Sequence, residues 1–242
     1  MTADPFVLLR LGRVPYGEAL DLQEALLERR QRGEIEDTIL LLEHPPVLTL
    51  GRRGDAANVL ADDAMLAARG IEVRRVGRGG DVTYHGPGQL VGYWIVSLRR
   101  WQDDVGRFLR AIEETLIGAL ARLGIEGRRL PGFTGVWCPV PGRPDLEKIA
   151  SIGVGIRRWV AFHGFALNVT TDLSGFDTIV PCGLLGKRMT SMERLLGWPL
   201  PLEDVADAVA AVLPGVLGGP LLKDERVTDR RDLAMAGAVT SR

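Results

Sequence analysis

The chain has 242 residues, of which 46% are hydrophobic and 25% charged, and its formal net charge is −1. These values are typical of a soluble globular protein with a sizeable core, organised as one large domain or two small ones. A charge this close to zero excludes a global field that attracts nucleic acid or an anionic membrane. The sequence contains no run of 18 apolar residues, so no membrane span is predicted. Its two cysteines are too few for a disulfide framework. The start has no secretory signal pattern, so we expect a cytoplasmic protein with free thiols.

The first half of the chain contains alternating or continuously apolar runs separated by helical patterns. Strands are predicted at residues 6–11, 38–42, 47–52, 71–76 and 90–96, and helices at 16–30 and 61–69. Pro45 and Pro46 forbid a helix after the second strand and predict a bend there.

The second half predicts fewer helices and longer extended pieces. Asp103 or Asp104 can cap a long helix that runs through Leu123. Extended pieces are predicted at 135–140, 148–154 and 159–169, followed by a helix at 201–213. Strands and helices without regular alternation predict a mixed α/β (α+β) domain over residues 1–227, with a flexible charged tail at 228–242.

Glycine, proline and polar side chains are concentrated in residues 78–90, which read RGGDVTYHGPGQL and lead into a buried strand. Glycine permits close approach of a backbone to a ligand, and proline fixes the chain direction. The segment therefore predicts either one wall of a ligand pocket or a hairpin connection.

Few residues in the sequence have side chains suited to catalysis or metal binding. His44, His85 and His163 each lie in a Gly- or Pro-rich turn, and their spacing does not predict a metal site. Cys138, in an apolar strand, is interpreted as a core residue. Cys182 lies in a turn that could expose its sulfur, but by itself it is more readily a bystander than a nucleophile.

A reactive cysteine needs a neighbouring cation or a helix N-terminus to stabilise its thiolate. Lys148, His85 and His163 are the candidates, and sequence spacing places none of them beside Cys182. Lys148 begins an apolar run, although a solvated lysine at the start of a strand fits the same pattern.

Five blocks resemble one known family and occur in its order. They are EHPP at 43–46, RGGDVTYHGPGQ at 78–89, KIASIGV at 148–154, HGFALN at 163–168 and PCG at 181–183. The chain resembles the octanoyl-[acyl carrier protein]:protein octanoyltransferases, also called lipoate–protein ligase B. This resemblance implies a fold similar to biotin and lipoate protein ligases, a mixed sheet flanked by helices.

The resemblance also implies which residues form the site. It further implies an activity that needs neither a metal nor a cofactor. The catalytic dyad would be Cys182 and Lys148. The substrate-binding residues would be Arg78, Gly79, Gly80, Asp81, Val82, Thr83, Tyr84, His85, Ser151, Ile152, Gly153, Gly164, Phe165 and Ala166. Chemistry adds a need for donors to a tetrahedral oxyanion, for which His163 and Gly183 are candidates.

The reaction implied by the resemblance transfers an octanoyl group from octanoyl-acyl carrier protein to a lysine, through an octanoyl-cysteine thioester and without ATP. The acceptors would be lipoyl domains of 2-oxoacid dehydrogenase complexes and the glycine cleavage H protein. Because carrier proteins are acidic, we expect a basic contact surface. Its candidates are Arg52, Arg53, Arg74, Arg75, Arg128 and Arg129.

Three other activities remain open on the same residues. An ATP-dependent lipoate or biotin ligase would share the fold and use a lysine, but it would not need Cys182. A non-catalytic acyl-binding module would bind the chain without a covalent adduct. A Cys–His hydrolase is the third, although no local hydrolase signature is present.

Overall fold

The structure is a computed structural model, and it describes residues 4–180 and 186–227. The strands of these residues are β1 (Phe6–Arg13), β2 (Asp37–Glu43), β3 (Val47–Leu50), β4 (Glu72–Arg75), β5 (Val82–His85), β6 (Gln89–Ile95), β7 (Arg128–Leu130), β8 (Phe133–Cys138), β9 (Glu147–Arg157), β10 (Val160–Asn168) and β11 (Leu221–Arg226). The α-helices are α1 (Tyr16–Gln31), α2 (Asp63–Ala68), α3 (Val105–Arg122), α4 (Met192–Leu196) and α5 (Leu202–Leu217).

The strands form two sheets. The larger has the order β11-β1-β2-β6-β10-β9-β8-β7, and the smaller has the order β4-β3-β5. In the larger sheet β1 pairs in parallel with β2 and β11, whereas the pairs from β2 through β7 are antiparallel. This mixed sheet with flanking helices confirms the predicted fold class.

Helices cover both faces of the larger sheet because each presents an apolar stripe to it. Leu116 of α3 and Val209 of α5 are fully buried against one face, in a core that includes Trp94 of β6. On the other face, Leu26 of α1 packs in a second core with Tyr93 of β6. The smaller sheet has a core of its own, so the space between the two sheets is left for a cavity.

Most predicted elements are present within two or three residues of their expected bounds. The long helix α3 begins after Asp104, whose side chain accepts a hydrogen bond from Arg107 N at 3.0 Å. The glycine-rich segment differs from a plain loop, because Val82–His85 is a buried strand within it. The sequence pattern did not predict α4, β7 and β11, which are short and lack a continuous apolar pattern. The predicted tail, 228–242, lies outside the described residues.

The described residues form five α-helices. None of them combines the length and the apolar composition needed to cross a membrane.

Candidate active site

A small cavity, partly open to solvent, lies between the larger and the smaller sheet. Its walls are Tyr16, Arg78, Gly79, Gly80, Asp81, Thr83, His85, Tyr93, Ser151, Ile152, Gly153, His163, Gly164, Phe165 and Ala166. They come from α1, the glycine-rich segment, and the three neighbouring strands β6, β9 and β10. The segment 78–90 is therefore a cavity wall in its first half and not a simple hairpin connection.

Small residues on β9 and β10 make room for this cavity. Ser151 pairs with Ala166 and Gly153 pairs with Gly164, so the two strands present a shallow surface to the smaller sheet. The backbone of Gly79 packs directly against Gly153, where a Cβ would lie 3.0 Å from the carbonyl oxygen of Gly79. Glycine is required at that position for the segment to lie directly on β9.

Arg78 is buried, and its side chain fixes the glycine-rich segment to β3. Its guanidinium donates to the carbonyl oxygen and to Oγ1 of Thr49, at 2.5 and 2.8 Å. Asp81 fixes a second point of the segment, because its carboxylate accepts from the backbone N–H of Asp55 at 3.0 Å. A wall held at two points in this way is preorganised for a ligand.

Lys148 is only 4% exposed, and a β-bulge determines where its side chain points. Val136 pairs with Ala150 and Trp137 pairs with Lys148, so Ile149 is an extra residue in β9. Ile149 and Ala150 both pack in the core beneath α3 and α5. Lys148 consequently lies on the opposite face, the one that carries Ser151 and the cavity; a bulge commonly re-aims a side chain in this way.

The side chain of Lys148 runs between β8 and the cavity face. Its Nζ lies 5.4 Å from the ring centroid of Trp137, a cation–π distance. A Cβ on Gly135 would lie 2.7 Å from Lys148 Cε and 2.5 Å from the carbonyl oxygen of Ala150. Gly135, with φ +120°, therefore leaves the passage that the lysine occupies.

The chain that follows residues 181–185 is anchored to Lys148 by two backbone hydrogen bonds. Lys148 N donates to the carbonyl of Arg188 at 2.8 Å, and Thr190 N donates to the carbonyl of Lys148 at 2.9 Å. Before that segment, Val180 N donates to the carbonyl of Asn58 at 2.8 Å. Cys182 and Gly183, the predicted nucleophile and a candidate oxyanion donor, lie outside the described residues.

A buried hydrogen-bond chain connects the cavity to the backbone of Lys148. His85 Nδ1 donates to Gln89 Oε1 at 2.8 Å, and Gln89 Nε2 donates to Asn168 Oδ1 at 2.9 Å. Asn168 Nδ2 then donates to the carbonyl of Thr190 at 3.0 Å. Every side chain in this chain is buried, so its geometry is sensitive to the loss of any member.

Two tyrosines and a histidine adjoin the cavity on the β6 side. His44 donates from Nδ1 to the carbonyl of Val14 and accepts from Tyr93 at Nε2, both at 2.7 Å. Tyr93 is also hydrogen-bonded to Tyr16. Burial lowers the pKa of His44 to about 4 and raises the pKa of Tyr16 to about 12, so both groups are neutral at pH 7.

His163 occupies an unusual position in β10. Its φ of +59° belongs to the left-handed region, its N–H donates to Gln23 Oε1 at 2.9 Å, and its side chain is 1% exposed. Burial, and then the charges of Arg78 and Arg52, lower the pKa of His163 to about 3. Neither ring nitrogen has a hydrogen-bond partner among the described residues.

His163 is also distant from Lys148. It pairs with Val154, which lies six residues along β9 from Lys148, or roughly 20 Å of extended strand. The structure thus brings His163 to the cavity wall but not to the lysine.

The structure brings most of the predicted substrate-binding residues together. Val82 and Tyr84 are the exceptions, because alternation along β5 turns them into the core of the smaller sheet while Thr83 and His85 face the cavity. Tyr16 and Tyr93 line the cavity but were not predicted to do so. Only their amphipathic side chains within apolar patterns could have indicated this position.

Cys138 is a core residue, as its apolar strand indicated. It is fully buried, and this burial raises the pKa of its thiol to about 12. Within residues 4–180 and 186–227, no group of three or more His, Cys, Asp or Glu side chains is arranged to hold a metal ion.

Comparison with known proteins places this chain in one family. Residues 15–213 match the family described as the lipoyl protein ligase A/B catalytic domain. A protein of Acidobacterium capsulatum named octanoyltransferase is 49% identical over 224 residues, which cover 89% of this chain and 91% of that protein. An octanoyltransferase of Solibacter usitatus is 52% identical over 200 residues, which cover 83% and 87%.

Two solved structures share the fold. A lipoate-protein ligase A bound with ATP has a TM-score of 0.69 at 19% identity, with 98% of this chain and 94% of that chain covered. A bipartite lipoate protein ligase from Thermoplasma acidophilum has a TM-score of 0.69 at 19% identity, with 95% and 91% covered.

The fold and the family match together define a catalytic domain of the lipoyl protein ligase A/B class. Within that class, the chain belongs to the octanoyltransferase family, and the resemblance inferred from its five sequence blocks is confirmed.

Proposed function

We propose that this chain transfers an octanoyl group from the thioester of octanoyl-acyl carrier protein to a lysine of lipoyl domains, through a thioester on Cys182. The acceptors are the lipoyl domains of 2-oxoacid dehydrogenase complexes and the glycine cleavage H protein. The observation that carries the proposal is the position of Lys148, a buried lysine on the same face of β9 as the cavity residue Ser151, whose backbone is hydrogen-bonded to residues that follow 181–185. The name octanoyltransferase, carried by relatives about 50% identical, supports the acyl group.

In the first half-reaction the Cys182 thiolate attacks the carbonyl carbon of the acyl thioester. The tetrahedral intermediate collapses with cleavage of the bond to the carrier sulfur, and the Lys148 ammonium gives its proton to that leaving thiolate. Octanoyl-Cys182, a free carrier thiol and a neutral Lys148 amine result. The exchange of one thioester for another is nearly balanced in free energy.

In the second half-reaction the amine of the acceptor lysine attacks the octanoyl-Cys182 carbonyl. Lys148 accepts a proton from the attacking nitrogen while the bond to the cysteine sulfur breaks. The amide, the thiolate and the ammonium of the resting dyad are restored. Because an amide is more stable than a thioester, the transfer is downhill and needs no ATP.

The cavity is suited to the acyl chain. Its lining between β9 and β10 is backbone and small or apolar side chains, and each methylene buried there stabilises the complex by about 0.8 kcal/mol. Backbone N–H groups of the turns next to the cavity are the natural donors to the oxyanion.

Intact-mass measurement tests the acyl-enzyme. We expect incubation with octanoyl-acyl carrier protein to add one octanoyl group to the wild-type chain and none to Cys182→Ser. Transfer to a lipoyl domain that persists in Cys182→Ala would overturn the proposal. The same assay without ATP distinguishes this activity from that of an ATP-dependent ligase. The proposed transfer would continue without ATP, whereas ligation would stop.

The rate at which Cys182 is alkylated tests the role of Lys148. We expect Lys148→Ala to slow alkylation of Cys182 by iodoacetamide at neutral pH, because the ammonium no longer stabilises the thiolate. Lys223→Ala is the matched control: this lysine on β11 is half-buried and paired with Glu225, and its loss should leave that rate unchanged. Equal alkylation rates in Lys148→Ala and the wild type would contradict the dyad.

A further inference from the structure

The cavity has two chemically different ends. Along residues 151–153 of β9 and 164–166 of β10 the lining is backbone and small or apolar side chains: Ser151, Ile152, Gly153, Gly164, Phe165 and Ala166. Towards β6 and β5 it ends on side chains that carry hydroxyl and imidazole groups. We call this end the polar floor, and its members are Tyr16, Thr83, His85, Tyr93 and His163.

The polar floor has unused hydrogen-bonding capacity. Among the described residues, Thr83 Oγ1 and both ring nitrogens of His163 are buried without a partner. Buried polar groups are nearly always paired, and leaving one unpaired is costly. A polar cavity large enough for water normally holds it, so water bound at the floor is the simplest way to satisfy these groups.

The floor is polar but uncharged. Burial lowers the pKa of His85 well below its ordinary value and lowers that of His163 to about 3, while it raises the pKa of Tyr93. The groups therefore offer hydrogen bonds at neutral pH without attracting a counter-ion. Retaining the left-handed φ of His163, which costs free energy for a residue with a Cβ, is also typical of a functional position.

The strand register gives the distance across the cavity, from β9 to β6. Tyr93 of β6 lies opposite Gly164 of β10, which pairs with Gly153 of β9, so Gly153 and Tyr93 are two strand spacings apart, or about 10 Å. An extended eight-carbon chain has about that length. Its methyl end would reach the floor without displacing the water held there, whereas a longer chain would have to remove that water.

We infer that the polar floor sets the acyl-chain length that this chain accepts, and that it does so by polarity instead of steric exclusion. This inference rests on the proposed function, because it concerns the chain-length limit of the same cavity. Longer chains are disfavoured because the methylenes they bury replace water that satisfies Thr83 and His163.

Thr83→Val tests the inference with almost no change of shape. Val is favourable in a strand, and the substitution removes only the unpaired hydroxyl. We expect the ratio of transfer rates from decanoyl and octanoyl carrier protein to rise about threefold to tenfold, the range for relieving one desolvated hydroxyl. Thr83→Ser, which is smaller but keeps the hydroxyl, should retain the wild-type ratio.

His163 provides a second pair of variants if Thr83→Val does not fold. His163→Leu and His163→Asn both shorten the side chain, but only Asn remains polar and tolerates the left-handed φ well. We expect the decanoyl-to-octanoyl ratio to rise for Leu and not for Asn. If this ratio rose equally in the polar and the apolar variant of a pair, space and not polarity would set the limit. If it did not rise in Thr83→Val or His163→Leu, the inference would also be overturned.

Equilibrium binding separates this inference from the proposed function. The dissociation constants of octanoate, decanoate and dodecanoate are measured by calorimetry for the wild type and the Thr83 variants. If wild-type protein transfers no acyl group, the proposed function fails, and these constants still decide the polar floor. A decanoate-to-octanoate preference equal in the wild type and Thr83→Val would refute it.

Discussion

At the scale of single residues, the site depends on exceptions to ordinary local rules. Lys148 is buried, His163 is held at a left-handed φ, and Gly135 leaves a passage for the lysine stem. Each exception costs stability, and tertiary contacts must maintain it. Substitutions at these positions should therefore affect stability and activity in distinguishable ways.

Gly135→Ala should damage the site more than its backbone strain explains. The new Cβ would meet Lys148 Cε and the carbonyl of Ala150, so the lysine must move. We expect transfer to fall at least tenfold and the free energy of unfolding to drop by about 2–3 kcal/mol. Kinetics and urea unfolding measure both quantities.

Gly132→Ala is the matched control for that substitution. Gly132 also has a positive φ, of +83°, but a Cβ there has no atom within 4 Å. It should cost about 1–2 kcal/mol of stability and leave transfer unchanged. If Gly135→Ala behaved like Gly132→Ala, crowding of the lysine would be the wrong explanation.

The buried histidines predict loss of stability in mild acid. The folded chain keeps His44 and His163 neutral, with pKa values lowered from 6.5 to about 4 and about 3. Below pH 6.5 the unfolded chain binds protons that the folded chain does not, so stability falls as pH decreases from 6.5 towards 4. We expect a loss of roughly 2 kcal/mol per histidine between pH 7 and 5.

Urea unfolding at pH 7 and pH 5 measures this loss. His163→Asn should remove the part due to His163, so its stability should depend less on pH than that of the wild type. A variant with an unchanged pH dependence would show that another group titrates.

At the scale of elements, β9 and β10 carry the site because a bulge and a hydrogen-bond chain fix their side chains. Ile149 is the extra residue that turns Lys148 to the cavity face. Asn168, at the end of β10, joins Gln89 of β6 to the carbonyl of Thr190, which in turn is bonded to Lys148. We consider Asn168 a positioning residue, since it acts on the lysine through the backbone.

Asn168→Asp tests that role with an isosteric side chain. A carboxylate accepts from Gln89 but cannot donate to Thr190, so the contact that orders the Thr190 backbone is lost. We expect transfer to fall about tenfold, with the pH profile of Cys182 alkylation displaced towards higher pH. Both are measured on the same preparation.

Thr115→Val controls for the general loss of a buried hydrogen bond. Thr115 of α3 donates to the carbonyl of Ala111 at 3.0 Å, on the other side of the larger sheet. It should lower stability by about 1 kcal/mol without altering the alkylation profile. An unaltered profile in Asn168→Asp as well would reduce Asn168 to a structural residue.

At the scale of the whole molecule, the cavity exists because two sheets pack at the edge of a core built by helices. A buried ion cluster ties distant elements together: Asp37, at the start of β2, accepts from Arg30 of α1 and from Arg100. Arg100 also donates to the carbonyl of Leu217, at the end of α5. The sheets and helices that enclose the site are thus held in one arrangement.

The arginines predicted to contact an acidic carrier fall into two groups. Arg74, Arg128 and Arg129 form ion pairs with glutamates. Arg52, Arg53 and Arg75 form none with the described residues. Arg52 N and Arg53 N donate to carbonyls of the glycine-rich segment, at 2.9 and 3.2 Å, so these two arginines flank the cavity wall.

Arg53→Glu should weaken use of the carrier protein if the flank of the cavity is its contact surface. We expect KM for octanoyl-acyl carrier protein to rise severalfold at low salt, with kcat little changed and the difference reduced at high salt. Arg128→Glu, on β7, is the charge-matched control and should leave KM unchanged. Similar KM values for the two variants would place the carrier elsewhere.

Much of the fold and part of the site were predictable because they depend on local pattern. Apolar periodicity predicted α1, α3, α5 and the central strands. Short elements such as β7 and β11 were missed, since edge strands with one exposed face have weak signals. The blocks at 78–85, 151–153 and 164–166 were predicted as substrate-binding, and the structure gathers most of their members at one cavity.

The sequence by itself determined the elements, the family and the kinds of side chain available for chemistry, because each is written in local spacing and residue type. Only the tertiary structure decided which face of β9 carries Lys148, which members of the glycine-rich segment face the cavity, and that Tyr16 and Tyr93 close one end of it. The physical reason is that strand register and a single bulged residue, Ile149, determine side-chain direction through pairing with β8, and that pairing joins residues distant in the chain.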